Sequence, residues 1–147
     1  MGAKGSTVHG VRSFTDLDAW KLANELKLGV FELLHRPAVQ RDEDFRDQIR
    51  DAAASAPRNI AEGFGRFKPR EFGQYLRIAN GSLHEVSNHL RDGVDRRYFT
   101  TSEIAPLQTL SRRASAASAA LIRYLRHARE PNAEASEPRR PRRRGTQ

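Results

Sequence analysis

The residues of this chain best placed to do chemistry are two glutamates and two histidines, Glu62, Glu85, His84 and His89. Carboxylates near imidazoles can hold a metal or move protons. A di-iron centre in a helical protein, however, needs inward-facing glutamates plus a Glu-x-x-His unit from each of two helices. Here Glu85 is followed by His89 four residues on, and no second such unit exists. The segment EGFGR at Glu62–Arg66 lacks the length and the Lys-Ser/Thr end of a phosphate loop. No Ser–His–Asp set stands out, and His9, His35 and His127 are scattered. With no cysteine in 147 residues, thiolate zinc sites, iron–sulfur clusters, disulfides and cysteine nucleophiles drop out together. The expectation is a protein that is not an enzyme and uses no cofactor or metal.

The glutamates fit better into a polar stripe. At about 100° per residue, Gln48, Ser55, Asn59, Glu62 and Arg66 gather on one flank of a helical segment. Glu71, Ser82, Glu85 and His89 occupy the corresponding flank of the next segment, with Tyr75 and Ile78 between them. These are boundary positions, where polar groups must find partners or water. One reading is a solvated flank. The other is a hydrogen-bonded seam against another helix or another subunit, with Arg66 on a carboxylate.

Four segments with helical period must position that stripe, and no convincing strand is present. The first runs from about Asp16 to Leu34 through Leu17, Trp20, Ala23, Leu26, Val30, Leu33 and Leu34, and stops before Pro37. The second, from about Asp44 to Phe64, aligns Phe45, Ile49, Ala52, Ala53, Ala56, Ile60 and Phe64. Pro57 inside it predicts a kink near Ala53–Pro57. Pro69 suits the first turn of the third, whose Phe72, Leu76, Ala79, Leu83, Val86 and Leu90 follow until the helix frays near Gly93. Thr100 and Glu103 predict a capping box for the fourth, with Phe99 and Ile104 as its hydrophobic staple. Its expected stripe is Leu107, Leu110, Ala114, Ala117, Leu121, Tyr124, Leu125 and Ala128. The fold class expected is all-α, an antiparallel up-down-up-down four-helix bundle over 14–128. A flexible N-terminus (1–13) precedes it and a disordered basic C-terminal tail (129–147) follows.

The charge balance points outward. Net charge is +8, and 22 of the 26 cations are Arg against 4 Lys. Guanidinium forks grip phosphate in two places, although a coding bias toward Arg would produce the same count. The segment REPNAEASEPRRPRRRGTQ carries three prolines and no aliphatic residue larger than Ala, so it cannot pack a core. Its Arg139, Arg140, Arg142, Arg143 and Arg144 form a sequence-independent binder of phosphate backbone or another anionic surface. Candidate contacts on the bundle are Arg58, Lys68, Arg70, Arg77, Arg112 and Arg113. No aromatic platform interleaves these cations, so backbone contact without base reading is expected. No apolar run reaches the roughly 20 residues of a membrane span, and MGAKGSTVHG has no apolar core of a secretory signal. Gly2 and Ser6 match a myristoylation pattern in isolation, without a polybasic neighbour, and no anchor is expected. A cytoplasmic protein with no membrane partner follows.

Residues 48–66, QIRDAAASAPRNIAEGFGR, resemble a motif approximating Q-x-R-R-A-x-x-S-I-P-x-N-I-A-E-G-x-G-R. The chain keeps Gln48, Arg50, Ala52, Ser55, Pro57, Asn59, Ile60, Ala61, Glu62, Gly63, Gly65 and Arg66. FTDLDAWKLA in the first segment and Ala79, Gly81, Ser82, Leu83 and Glu85 in YLRIANGSLHEV match further motifs of the same family. That family comprises small bacterial four-helix-bundle proteins, many encoded within intervening sequences of large-subunit ribosomal RNA genes. Asp51 and Asn80 stand where the family usually has Arg, which weakens a basic role for those two positions. The resemblance implies rings of five identical subunits and no enzymatic activity. It also implies a relation to accessory proteins of diversity-generating retroelements, which bind nucleic acid and a reverse transcriptase. Nearly every stripe residue is a motif position, so the resemblance favours the seam over the solvated flank. The leading expectation is a non-enzymatic homo-oligomer associating with RNA or DNA. The alternative is a protein-interaction scaffold, such as an accessory subunit of a reverse transcriptase, with incidental basicity.

Overall fold

Five helices account for most of the backbone in the computed structural model, which describes residues 10–128. The expected flexible arm is described only from Gly10, and the expected disordered tail lies outside the described residues. Among the described residues no strand occurs.

A 3-10 turn at Phe14–Asp16 is closed by a capping box between Ser13 and Asp16. The chain is then extended at Leu17 before α1 (Asp18–Leu33) begins, so Asp16 belongs to this turn and not to the first long helix as expected. A helix that the periodicity did not indicate, α2 (Pro37–Arg41), follows the helix-stopping proline and buries Val39 completely. Five residues are too short to carry a period, and Pro37 supplies the preset φ of a first helical turn.

Next come α3 (Glu43–Gly65), α4 (Pro69–Asp95) and α5 (Thr101–Arg126). Asp42 caps α3 by accepting from the Phe45 N–H at 3.3 Å. The helix continues unbroken through Pro57, which is buried. The turn into α4 is short because Phe67 adopts φ +56°, a left-handed conformation uncommon for a bulky residue, which leaves its ring 81% exposed. The α4 helix extends past Gly93 to Asp95. Thr100 and Glu103 form the expected capping box, and Phe99 and Ile104 are both buried.

Each long helix packs on two others: α3 on α1 and α4, α5 on α1 and α4. The expected core residues of the second and third segments are all buried, except Phe64, which packs half-buried against the core. The α5 stripe needs correcting. Its buried residues are Ile104, Leu107, Ser111, Ala114, Ser118, Ile122 and Leu125. Leu110, Ala117 and Leu121 lie on the half-buried flank, and Tyr124 is 43% exposed. Ile104, Ser111, Ser118 and Leu125 are spaced by seven, so a strict heptad runs through two serines whose polarity hides it. Serine is small enough for α4 to come close, and the Ser111 hydroxyl donates to the Leu83 carbonyl at 3.1 Å. Ser118 is completely buried, and its hydroxyl has no partner among the described residues.

Candidate functional site

The α3–α4 contact is where the polar stripe was expected, and glycine sets its spacing. A Cβ on Gly63 would stand 2.6 Å from Tyr75 Cβ and 2.8 Å from Phe72 Cδ2, so only glycine permits this approach. Close packing brings Ser55 Oγ and Ser82 Oγ to 2.8 Å. Asn59 Nδ2 donates to the Ser55 carbonyl at 2.8 Å and to its hydroxyl at 3.0 Å. Three of the seven expected seam residues, Ser55, Asn59 and Ser82, are therefore satisfied within one chain and need no second subunit.

Closer to the α3–α4 turn the stripe becomes a surface cluster. Arg66 donates to Glu62 at 2.8 Å and to the Tyr75 hydroxyl at 3.0 Å, and its guanidinium lies 5.5 Å from the Tyr75 ring centre. The hydrogen bond to Glu62, then the nearby Tyr75, hold Arg66 still more firmly protonated than usual. Both partners of this pair are about half exposed. Gln48 and Glu85 are exposed and make no hydrogen bond to protein among the described residues. Ser55 pairs with Ser82 and Arg66 with Tyr75, so residue numbers fall on α4 as they rise on α3. Glu62 therefore sits level with Tyr75, while Glu85 lies ten residues farther along α4, about 15 Å at the helical rise. The two carboxylates cannot share a proton or a metal within one chain. His84 is exposed, and His89 packs its ring edge-on against Phe45 at 6.3 Å. No group of three or more potential metal ligands occurs among the described residues. No helix there is long and apolar enough to cross a membrane.

A second polar seam, not anticipated from sequence, joins α4 to α5. Ser87 donates to Gln108 Oε1 at 2.6 Å, Gln108 Nε2 returns a bond to the Ser87 carbonyl at 3.0 Å, and Ser115 donates to Asn80 at 3.4 Å. The spacing of Gln108, Ser111, Ser115 and Ser118 at three and four was the available signal, obscured because periodicity is read from apolar residues.

The candidate cations Arg58, Lys68, Arg70, Arg77, Arg112 and Arg113 are all exposed. Lys68 approaches Glu71 at 4.0 Å, and Arg112 donates to the Thr109 hydroxyl at 3.1 Å. Arg58 lines a shallow depression on α3 with Glu62 and Arg66. Arg70 and Arg77 line one recess of about 290 Å³ at the far end of the α4–α5 seam. Arg126, which sequence reasoning did not select, joins them there. Arg139, Arg140, Arg142, Arg143 and Arg144 lie outside the described residues.

Comparison with known proteins places this geometry in a family. No curated protein matches the chain. A family model described as 23S rRNA-intervening sequence protein matches residues 15–120, a span that reaches from the capped turn before α1 well into α5 and includes the whole α3–α4 seam. The chain belongs to the 23S rRNA-intervening sequence protein family.

Proposed function

We propose that this protein is a non-enzymatic, cytoplasmic, antiparallel up-down-up-down four-helix bundle that assembles with copies of itself and associates with RNA or other nucleic acid. The observation that carries the reading is the set of uncompensated guanidiniums. Arg58, Arg70, Arg77 and Arg113 are exposed and none has a carboxylate within ion-pair distance among the described residues. Such groups release counterions when they meet phosphate, which drives association without base recognition.

Self-association is supported by a different face. Ile78 is 54% exposed on α4, beside Gly81, where an added Cβ would meet nothing within 4 Å. Glycine inside a helix costs about 1 kcal/mol relative to alanine, so its presence on an outer face suits a close approach by another backbone. Glu85, one helical turn beyond Gly81 on the same helix, is also exposed. A ring closes if each subunit uses this face against a different one on its neighbour, and five is the number that the family resemblance implies.

Mass measurement in solution tests the assembly. Glu62→Lys places a cation beside Arg66 and should split the oligomer while leaving helix content intact; a monomeric wild type, or an unchanged assembly in the variant, refutes it. A salt series tests the ligand, because phosphate-driven binding weakens steeply with salt. The exposed Ile78 and Phe67 favour one second reading, a scaffold for a protein partner such as a reverse transcriptase. Binding to such a partner that is insensitive to salt, with no affinity for RNA, would select it.

A further inference from the structure

We infer that the recess between the first turns of α4 and the last turns of α5 binds one nucleotide unit of a single-stranded nucleic acid, with its phosphate held by Arg70, Arg77 and Arg126. This deepens the nucleic-acid reading above and rests on it.

Gly73 lines the recess and puts no side chain into it. Gly73 is buried, yet a Cβ there would meet only Arg77 Nη1, at 3.7 Å. Alanine would fit without strain and would be the better helix former. Glycine here weakens the helix and relieves no clash, in contrast to Gly63, and its effect is to leave the groove open. Ile122 and Leu125 line the same recess and are among the least covered residues of the core, at 9% and 8% exposure.

Every charged residue lining the recess is a cation. Arg70, Arg77 and Arg126 line the recess with no carboxylate among its lining residues, and none of the three makes an ion pair or side-chain hydrogen bond among the described residues. Arg126 lies in the last turn of α5, where the helix dipole favours a cation. Arg70 lies in the first turn of α4, where the dipole opposes one, so its position gains nothing from the helix itself. A bound anion would reverse that sign, drawing on the guanidiniums and on the positive end of the α4 dipole.

The combination of an apolar floor and a guanidinium rim fits an anion carried on an apolar body. At about 290 Å³ the recess is at the small end of ligand sites, which run from roughly 300 Å³. A duplex presents its phosphates on a convex, stacked surface and cannot enter such a space. An unstacked nucleotide can, placing sugar or base on Ile122 and Leu125 and phosphate on the rim.

Fluorescence anisotropy with the full chain and a short labelled oligouridylate tests the inference. Arg77→Gln should weaken binding about tenfold, the loss of one charge-assisted contact, and flatten the salt slope by roughly 0.7 for each phosphate released. Gly73→Leu fills the recess without changing charge and should weaken binding at least as much, with the melting temperature showing that the fold persists. Arg91→Gln removes an equal charge elsewhere on α4 and should have little effect. If Gly73→Leu binds as wild type does, or Arg91→Gln and Arg77→Gln lose equally, diffuse charge carries the binding: the recess inference falls while the proposed function stands. If a duplex binds equally well and loses equally on Gly73→Leu, the single-strand assignment falls. Absence of any wild-type binding at low salt overturns the recess and the nucleic-acid reading together.

Discussion

Adding one methyl group at Gly63 should separate this protein's two best-packed helices. The new Cβ would sit 2.6 Å from Tyr75 Cβ and 2.8 Å from Phe72 Cδ2, whereas carbon atoms in contact prefer about 3.5–4.0 Å. Tyr75 Cβ is fixed to the α4 backbone, so no rotamer change relieves the overlap and the helices must part by about 1 Å. Overpacking of this kind costs about 1–3 kcal/mol, and a backbone shift belongs at the upper end. Alanine returns about 1 kcal/mol of helix propensity. The net expectation for Gly63→Ala is a loss of about 2 kcal/mol, or roughly 8 °C at about 4 °C per kcal/mol for a domain of this size. Gly29→Ala is the comparison. Its Cβ would overlap Leu107 Cδ2 at 2.5 Å, but that methyl ends a flexible side chain and the next atom is 3.8 Å away. A Leu107 rotamer shift of about 1 kcal/mol offsets the propensity gain, and stability should stay within about 0.5 kcal/mol of wild type. Urea and thermal unfolding followed at 222 nm, at one fixed protomer concentration, measure both. A Gly63→Ala protein as stable as wild type, or a Gly29→Ala protein that falls as far, would refute this account of the α3–α4 spacing.

Ser118→Ala removes a completely buried hydroxyl that has no partner among the described residues, and should stabilise the fold by about 1 kcal/mol in denaturant unfolding; a loss of similar size would show that the hydroxyl is bonded. Asp42 accepts from the Tyr98 hydroxyl at 2.6 Å, and this bond, more than the Arg96 ion pair, holds its carboxyl below the ordinary 3.8 and raises Tyr98 above the ordinary 10.0. Asp42 therefore contributes stability that is complete above pH 3.8 and lost as pH falls through its lower folded value. Tyr98 contributes stability that is complete below pH 10.0 and lost as pH rises through its higher folded value, so Tyr98→Phe should abolish the alkaline loss and shrink the acid one in melting curves taken across pH. Deleting residues 139–147 should leave helicity and melting temperature nearly unchanged while lowering RNA affinity and its salt slope; a melting shift of many degrees would show that the segment docks on the helices.

The long helices and the cap of α5 are legible in the sequence because they are local properties. Apolar residues at three and four, Pro69 in a first turn and the Thr100–Glu103 box each act within a few residues of chain. The core faces of α3 and α4 are legible for the same reason, since their large apolar residues lie on one side, with Ile78 of α4 the exception. On α5 the sequence is ambiguous. Alanine and serine fill eight of the ten positions from Ser111 to Ala120, and the face that turns inward is set by which side lets α4 come close, so Ser111 and Ser118 are buried while Tyr124 is left partly in water.

The candidate site divides along the same line. The stripe of Gln48, Ser55, Asn59, Glu62, Arg66, Ser82 and Glu85 can be drawn on helical wheels, but wheels carry no register between helices. Register pairs Ser55 with Ser82 inside one chain, sets Glu85 far from Glu62, and leaves Gln48 without a partner among the described residues. Arg70 and Arg77 can be chosen for their charge alone. That Arg126 joins them across a recess lined by Gly73 depends on how far the ends of α4 and α5 overlap, a distance fixed by the packing of the whole core and by no residue near the recess.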